Sequence, residues 1–160
     1  MALSLCSVMT IFAGKTAYLF SYDGLNWMPL NGGRSYLTPS VGKDKLMRDP
    51  SICQAPDGTF HMVWTSSWTD RIIGHASSRD LIHWSEQQAI PVMMHEPTAH
   101  NCWAPELFYD EPSQTYYIFW ATTIPGRHKE IPTSESEKGL NHRIYYATTK
   151  DFRTFSKTKM

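Results

Sequence analysis

The stretch "LMRDPSICQAPDGTFHMVWTSSW", from Leu46 to Trp68, decides how the rest of the chain is read. It holds two runs of strand-forming residues separated by Asp57-Gly58, a dipeptide that favours a tight hairpin because both positions tolerate positive φ. A second stretch, "NCWAPELFYDEPSQTYYIFWATT" from Asn101 to Thr123, repeats the layout, with "DEPSQ" as its polar turn. Trp64 and Trp120 stand 56 residues apart at matching points. An acid opens each block, Asp49 beside Pro50 in the first and Glu106 beside Pro105 in the second. On this reading Glu106 stands near the place of Asp49.

A shorter signature punctuates the same period. Ser/Thr-x-Asp-x-x-x-aromatic occurs as "SYDGLNW" (Ser21–Trp27), "SRDLIHW" (Ser78–Trp84) and "TKDFRTF" (Thr149–Phe155). Its Asp and Ser/Thr side chains can bond the backbone a few residues on, which makes a compact turn. Each copy follows a short strand-like run, and a fourth strand such as "QAIPVM" comes after the second copy. No segment carries a sustained helical period. Four antiparallel strands per unit, recurring every 55 to 70 residues or so, predict β-propeller blades. A two-layer β-sandwich is the competing architecture. The expectation is therefore an all-β chain holding about two and a half four-stranded blades, an incomplete ring. Missing blades or self-association would have to close it, since an open arc leaves sheet surface uncovered. The polar insertion Gly126–His142 is expected to be a surface loop.

Bulk properties agree with a globular domain. The chain has 160 residues, long enough for a real core, with 41% hydrophobic and 19% charged residues. Fifteen basic residues balance fifteen acidic ones, so no basic field exists to hold nucleic acid. Three cysteines, Cys6, Cys53 and Cys102, show neither a paired count nor CxxC spacing, which argues against a disulfide framework. Residues 1–14 read as an irregular or weakly signal-like N-terminus, and residues 15–160 as the blade-forming domain. The apolar run in 1–14 falls short of a membrane span, and no membrane partner is expected. "HEPTAH" (His95–His100) lacks the spacing of a helical zinc motif, so no metal site is assigned. Neither a P-loop nor a GxGxxG is present, and no cofactor is expected.

With "RDPSI", "WAPELFYD" and "SSRDLIHW" in place, the chain resembles glycoside hydrolase family 43 over roughly residues 15–160. The resemblance implies a five-bladed propeller that hydrolyses arabinose- or xylose-containing glycans with inversion, the partner being an oligosaccharide or plant-type polysaccharide. Three carboxylates carry the family's reaction: an Asp base, an Asp that tunes its neighbour, and a Glu acid. The base position corresponds to Asp49. The other two are expected beyond Met160, so the chain alone is expected to be weakly active or inactive. Calcium accompanies some members, although nothing in this sequence points to it. Export to the outside or the periplasm fits a polysaccharide degrader better than retention does. Two other readings stand beside this one: a non-catalytic carbohydrate-binding propeller, and an enzyme of the related fructan and sucrose hydrolase clan. The latter typically opens with Trp-Met-Asn-Asp-Pro, which "LNWMPLNGG" does not match.

Around Asp49 the candidate substrate contacts are Arg48, Trp68, Asn101, Trp103 and Glu106. Trp68 and Trp103 could each offer a flat face to a sugar ring or pack in the core. Asn101 could bond a hydroxyl or cap a turn. Arg48 could orient Asp49 or touch substrate, and Glu106 could bind sugar or accept a structural hydrogen bond. Pro50 restricts the backbone of Asp49 and so fixes the direction of its carboxylate.

Overall fold

The computed structural model describes residues 8–11, 15–131 and 140–160. Its regular elements are β-strands, with one short 3-10 turn at Leu30–Gly33. They form three antiparallel sheets. The first holds β1 (Val8–Ile11), β2 (Lys15–Phe20) and β3 (Met28–Pro29). The second holds β4 (Arg48–Gln54), β5 (Phe60–Thr65), β6 (Ile73–Ser78) and β7 (Gln88–Ile90). The third holds β8 (Trp103–Asp110), β9 (Thr115–Thr122) and β10 (Arg143–Thr149). A bridge from Tyr146 to Lys159 supplies the fourth strand position at its outer edge. Within each sheet every strand pairs with its neighbour in sequence, the meander of a blade.

The second sheet excludes a two-layer sandwich, because both of its faces are buried. On one face Met62, Trp64 and Ala76 pack with Leu37 and Met47 from the segment that precedes β4. On the other, Val63 and Ile73 pack with Leu107, Ile118, Trp120, Tyr145, Ala147 and Phe152 of the third sheet and its turn. Sheets stacked in series in this way are successive blades, here an arc of a propeller. Strand β9, "TYYIFWAT", shows how sequence sets the facing: Tyr116, Ile118, Trp120 and Thr122 are buried, while the residues between them are only partly so. Gly74 lets Trp64 lie flat on β6. A Cβ there would come within 2.0 Å of the indole.

The turns follow their sequence signals. At Asp57-Gly58, Gly58 adopts φ +83, and Asp57 Oδ1 accepts the Thr59 N–H at 2.9 Å. The three Ser/Thr-x-Asp turns are built alike. Asp23 Oδ1 accepts the N–H groups of Leu25 and Asn26, Asp80 Oδ1 those of Ile82 and His83, and Asp151 Oδ1 those of Arg153 and Thr154, all at 2.8 to 2.9 Å. These bonds hold all three carboxyls below the usual range, backbone bonds leading for Asp23 and Asp151 and the His83 side chain for Asp80. The residue after each Asp is left-handed: Gly24, Leu81 and Phe152.

Two expectations change. Residues 1–14 were expected to be irregular, yet Val8–Ile11 pairs with Lys15–Tyr18 as a strand of the first sheet. Residues 1–7 and 12–14, where the signal-like reading rests, lie outside the described residues, as does 132–139 of the expected surface loop. The fourth strand of the second sheet also stops at Ile90. Pro91 has no N–H to continue the ladder, and Val92 N–H turns back to Ile90 O at 2.9 Å.

Candidate active site

Strands β4 and β8 open with the same irregularity. Arg48 pairs with Thr65 and Ser51 with Val63, leaving two residues opposite one. Trp103 pairs with Ala121 and Glu106 with Phe119, again two against one. Each bulge contains a proline that cannot donate to the ladder, preceded by a left-handed residue: Asp49 at φ 48 and Ala104 at φ 46. Such a conformation costs a non-glycine residue about 1–3 kcal/mol and is kept where the surroundings impose it. In the first bulge it lifts Asp49 out of the ladder, with its side chain exposed at the mouth of the inner strand.

This register corrects the placement of Glu106. The counterpart of Asp49 in the next blade is Ala104, and the counterpart of Glu106 is Ser51. Glu106 therefore sits two residues further along β8, on the blade face. The two inner strands are stitched together by hydroxyls. Thr65 Oγ1 accepts the Ala104 N–H at 2.9 Å and turns its own proton toward Asp49 Oδ2 at 3.5 Å. Ser51 Oγ accepts the Leu107 N–H and donates to Glu106 Oε2, each at 3.1 Å. Asp49 and Glu106 thus stand on adjacent inner strands of neighbouring blades.

Beside Asp49 an aromatic wall rises from the loop after β5. Trp68 is 47% exposed, and the Arg48 guanidinium lies 4.4 Å above its ring. Trp103 meets Trp68 edge to face at 6.0 Å and donates its indole N–H to Trp68 O at 2.9 Å. Asp44 pins the loop from below, accepting the Ser67 hydroxyl at 2.6 Å and the Trp68 N–H at 3.1 Å. Those two bonds, the hydroxyl first, hold its carboxyl below the usual range. His142 extends the wall, its ring 5.2 Å from that of Trp103 and its Nδ1 3.0 Å from Thr123 Oγ1.

Arg48, Trp68 and Trp103 therefore come together, and Asp49, next to Arg48 in the chain, is joined through Thr65 to the strand that carries Trp103. Asn101 does not join them. It is fully buried, its Nδ2 donates to Ala121 O and its Oδ1 accepts the Thr123 N–H, so its amide serves the backbone. Asp44 and His142 were not legible as neighbours of the wall, because only loop closure brings them there. Among the described residues no three His, Cys, Asp or Glu side chains gather in a metal-binding group.

A family model described as "Probable glycosyl hydrolase domain", of the glycoside hydrolase 43-related group, matches residues 13–160. The chain belongs to that family. It is 20% identical over 157 residues to an alpha-L-arabinofuranosidase of Bifidobacterium longum, covering 86% of this chain and 15% of that protein. The crystal structure of the GH43 protein BlXynB from Bacillus licheniformis superposes with a TM-score of 0.51 at 24% identity, over 70% of this chain and 22% of that one. An N-acetylgalactosamine deacetylase from F. plautii, crystallised with blood group B trisaccharide, reaches a TM-score of 0.59 at 12% identity, over 89% of this chain and 43% of that one. These superpositions show a shared fold, and the deacetylase illustrates that one fold hosts different activities. The chain spans less than half the length of each of these proteins.

Proposed function

We propose that this glycoside hydrolase 43-related chain supplies the base side of an inverting glycosidase that acts on arabinose- or xylose-containing glycans. Asp49 is the general base. It takes a proton from the water that attacks the anomeric carbon, while a protonated carboxylic acid on the opposite side of the sugar gives its proton to the leaving oxygen. The two carboxyl groups in such a reaction stand about 6.5–9.5 Å apart, room enough for that water. Glu106 is not assigned as the acid, since its hydrogen bond with Ser51 ties it to the blade junction. Trp68 and Trp103 offer the sugar an apolar wall, and Arg48, stacked on Trp68, presents N–H donors to its hydroxyls.

The observation that carries this reading is the strained bulge at Asp49. The equivalent bulge in the next blade carries Ala104, so the turn itself does not require a carboxylate, and at Asp49 it presents an exposed one, next in the chain to the Arg48 stacked on Trp68. The test is hydrolysis of aryl arabinofuranosides and xylosides by the wild type and by Asp49→Asn. Turnover with inverted product, lost in Asp49→Asn, supports the assignment; turnover that survives the substitution removes Asp49 from the chemistry. The aromatic wall favours a second reading, a carbohydrate-binding module. Arabinan oligosaccharides that shift the Trp68 and Trp103 indole resonances without any turnover would favour that one.

A further inference from the structure

We propose that the cavity between the Asp57 hairpin of the second blade and the Asp151 turn of the third is a second sugar-binding site, separate from Asp49. Its volume is about 460 Å³, within the roughly 300–1,000 Å³ of ligand pockets. Its walls come from that hairpin, the turn between β8 and β9, and the Asp151 turn, so it belongs wholly to the junction of these two blades. Strand β4 carries Asp49 at one end and leads into Ala55 of the cavity at the other. At roughly 3.3 Å per residue the two sites lie about 20 Å apart, at opposite ends of the sheet.

The floor of the cavity is aromatic. Phe152 stacks on His61 at 4.2 Å, His61 meets Tyr116 edge to face at 5.1 Å, and Tyr116 packs on Tyr109 at 4.7 Å. A hydrogen-bond chain then fixes what His61 offers. Gln88 accepts from His75 Nδ1 at 3.3 Å, so His75 Nε2 accepts from His61 Nδ1 at 3.1 Å. Burial keeps the His61 ring neutral at pH 7. Its one proton is spent inward on His75. Nε2, across the ring from that bond, is an acceptor with no hydrogen-bond partner among the described residues. Apolar side chains would fill the junction as well; the chain adds an oriented acceptor at the cavity wall.

The rim selects a neutral ligand. Asp57 Oδ1 accepts the Thr59 N–H and Oδ2 pairs with Arg79, while Asp151 Oδ1 accepts from Arg153 and Thr154. Both carboxylates are thus spent on their own turns, and Arg79 and Lys150 balance their charge, leaving no field to draw an ion. Gln114, Lys150 and the hydroxyls of Tyr109 and Tyr116 have no side-chain hydrogen bond among the described residues. Aromatic rings, an imidazole acceptor, an amide and hydroxyls together are the complement of a sugar, whose hydroxyls both donate and accept. A sugar residue held here tethers a glycan to the protein and raises its effective concentration. Binding here does not depend on hydrolysis at Asp49.

The experiment is an NMR titration of the full isotope-labelled chain with L-arabinose and D-xylose, then with arabinan and xylan trisaccharides, up to tens of millimolar. The amides of Gln114, Lys150 and Asp151 and the His61 ring resonances should shift and saturate. Asp49→Asn should leave those shifts unchanged, which keeps this site apart from the catalytic one. Gln114→Gly combined with Lys150→Ala, both at exposed positions, should raise the dissociation constant about three- to tenfold, as loss of hydrogen bonds does. His61→Phe keeps a ring against Phe152 but no acceptor, and should abolish saturation. The exposed pair decides the matter should that variant fail to fold. Binding supports a glycan chain where the trisaccharide is tighter than the free sugar, and a single terminal sugar where the two are equal. Shifts that never saturate, shifts confined to Trp68 and Trp103, or a double variant that binds like the wild type overturn the proposal. Hydrolysis that is lost in Asp49→Asn would stand in any of those cases.

Discussion

Ser51 and Glu106 occupy the same repeat position in adjacent blades, and they touch: Ser51 Oγ donates to Glu106 Oε2 at 3.1 Å while accepting the Leu107 N–H. One hydroxyl thus satisfies a backbone donor of the next blade and orients a carboxylate. Ser51→Ala removes both bonds and leaves the Leu107 amide without its acceptor. An orphaned donor of this kind costs about 1–3 kcal/mol. Urea denaturation should show a loss in that range, with faster hydrogen exchange at Leu107 than in the wild type. Ser51→Thr, which keeps the hydroxyl, should retain most of the stability.

Gly74 is a second junction where one atom decides. A Cβ at this position would meet Trp64 Cε2 at 2.0 Å and Nε1 at 2.3 Å, in a face with no slack. Overpacking costs typically about 1–3 kcal/mol and more where the neighbour is rigid, so Gly74→Ala should lower the melting temperature sharply. Trimming the opposing ring should relieve the clash. Trp64→Leu with Gly74→Ala is expected to be more stable than the sum of the two single losses predicts.

How far the sequence reveals this molecule depends on the range of the interaction. The Asp turns and the Asp57-Gly58 hairpin are local, with donor and acceptor within three residues, and the sequence shows them directly. Blade order follows from their repetition. The bulges are less visible, because a two-against-one register needs both strands to be known. That is why Glu106 seemed to match Asp49 until Trp103↔Ala121 and Glu106↔Phe119 placed Ala104 there instead. Asn101 illustrates the same limit. Its partners, Ala121 and Thr123, lie about 20 residues away across a strand, and nothing next to it in the chain signals them.

The three Asp turns share a left-handed position with unequal demands. Gly24 fills it without strain, whereas Leu81 and Phe152 hold φ 65 and φ 53. Leu81 is only partly buried, so Leu81→Gly should change stability by no more than about 1 kcal/mol, relief of strain offsetting greater freedom in the unfolded chain. Phe152 is buried against His61 and His75, with centroids at 4.2 and 4.1 Å. Phe152→Gly should therefore cost about 3–5 kcal/mol, as loss of a core aromatic does. Equal effects in thermal unfolding would show that turn geometry, and not packing, sets the requirement.

His61 and His75 make the blade junction sensitive to acid. Their nitrogens, His61 Nδ1 and His75 Nε2, are 3.1 Å apart, and His75 Nδ1 lies 3.3 Å from Gln88 Oε1. With Gln88 accepting from His75 Nδ1, His75 Nε2 is left to accept from His61, an arrangement that requires the His75 ring to be neutral. Burial pushes His61 down from 6.5 to about 4, with Asp57 opposing, and pushes His75 down to about 3, with His61 adding to the effect and Gln88 opposing. Above about pH 6.5 neither folded nor unfolded chain binds these protons, and the pair contributes no pH dependence. Below it the unfolded chain takes them up while the folded one refuses, so stability falls as the pH drops from about 6.5 toward 4 and below. The comparison with His75→Gln separates this pair from the other five histidines. The urea midpoint of the wild type should fall between pH 7 and pH 5, and His75→Gln should flatten that fall while His61 retains part of it. An equal slope in the variant would place the acid sensitivity elsewhere.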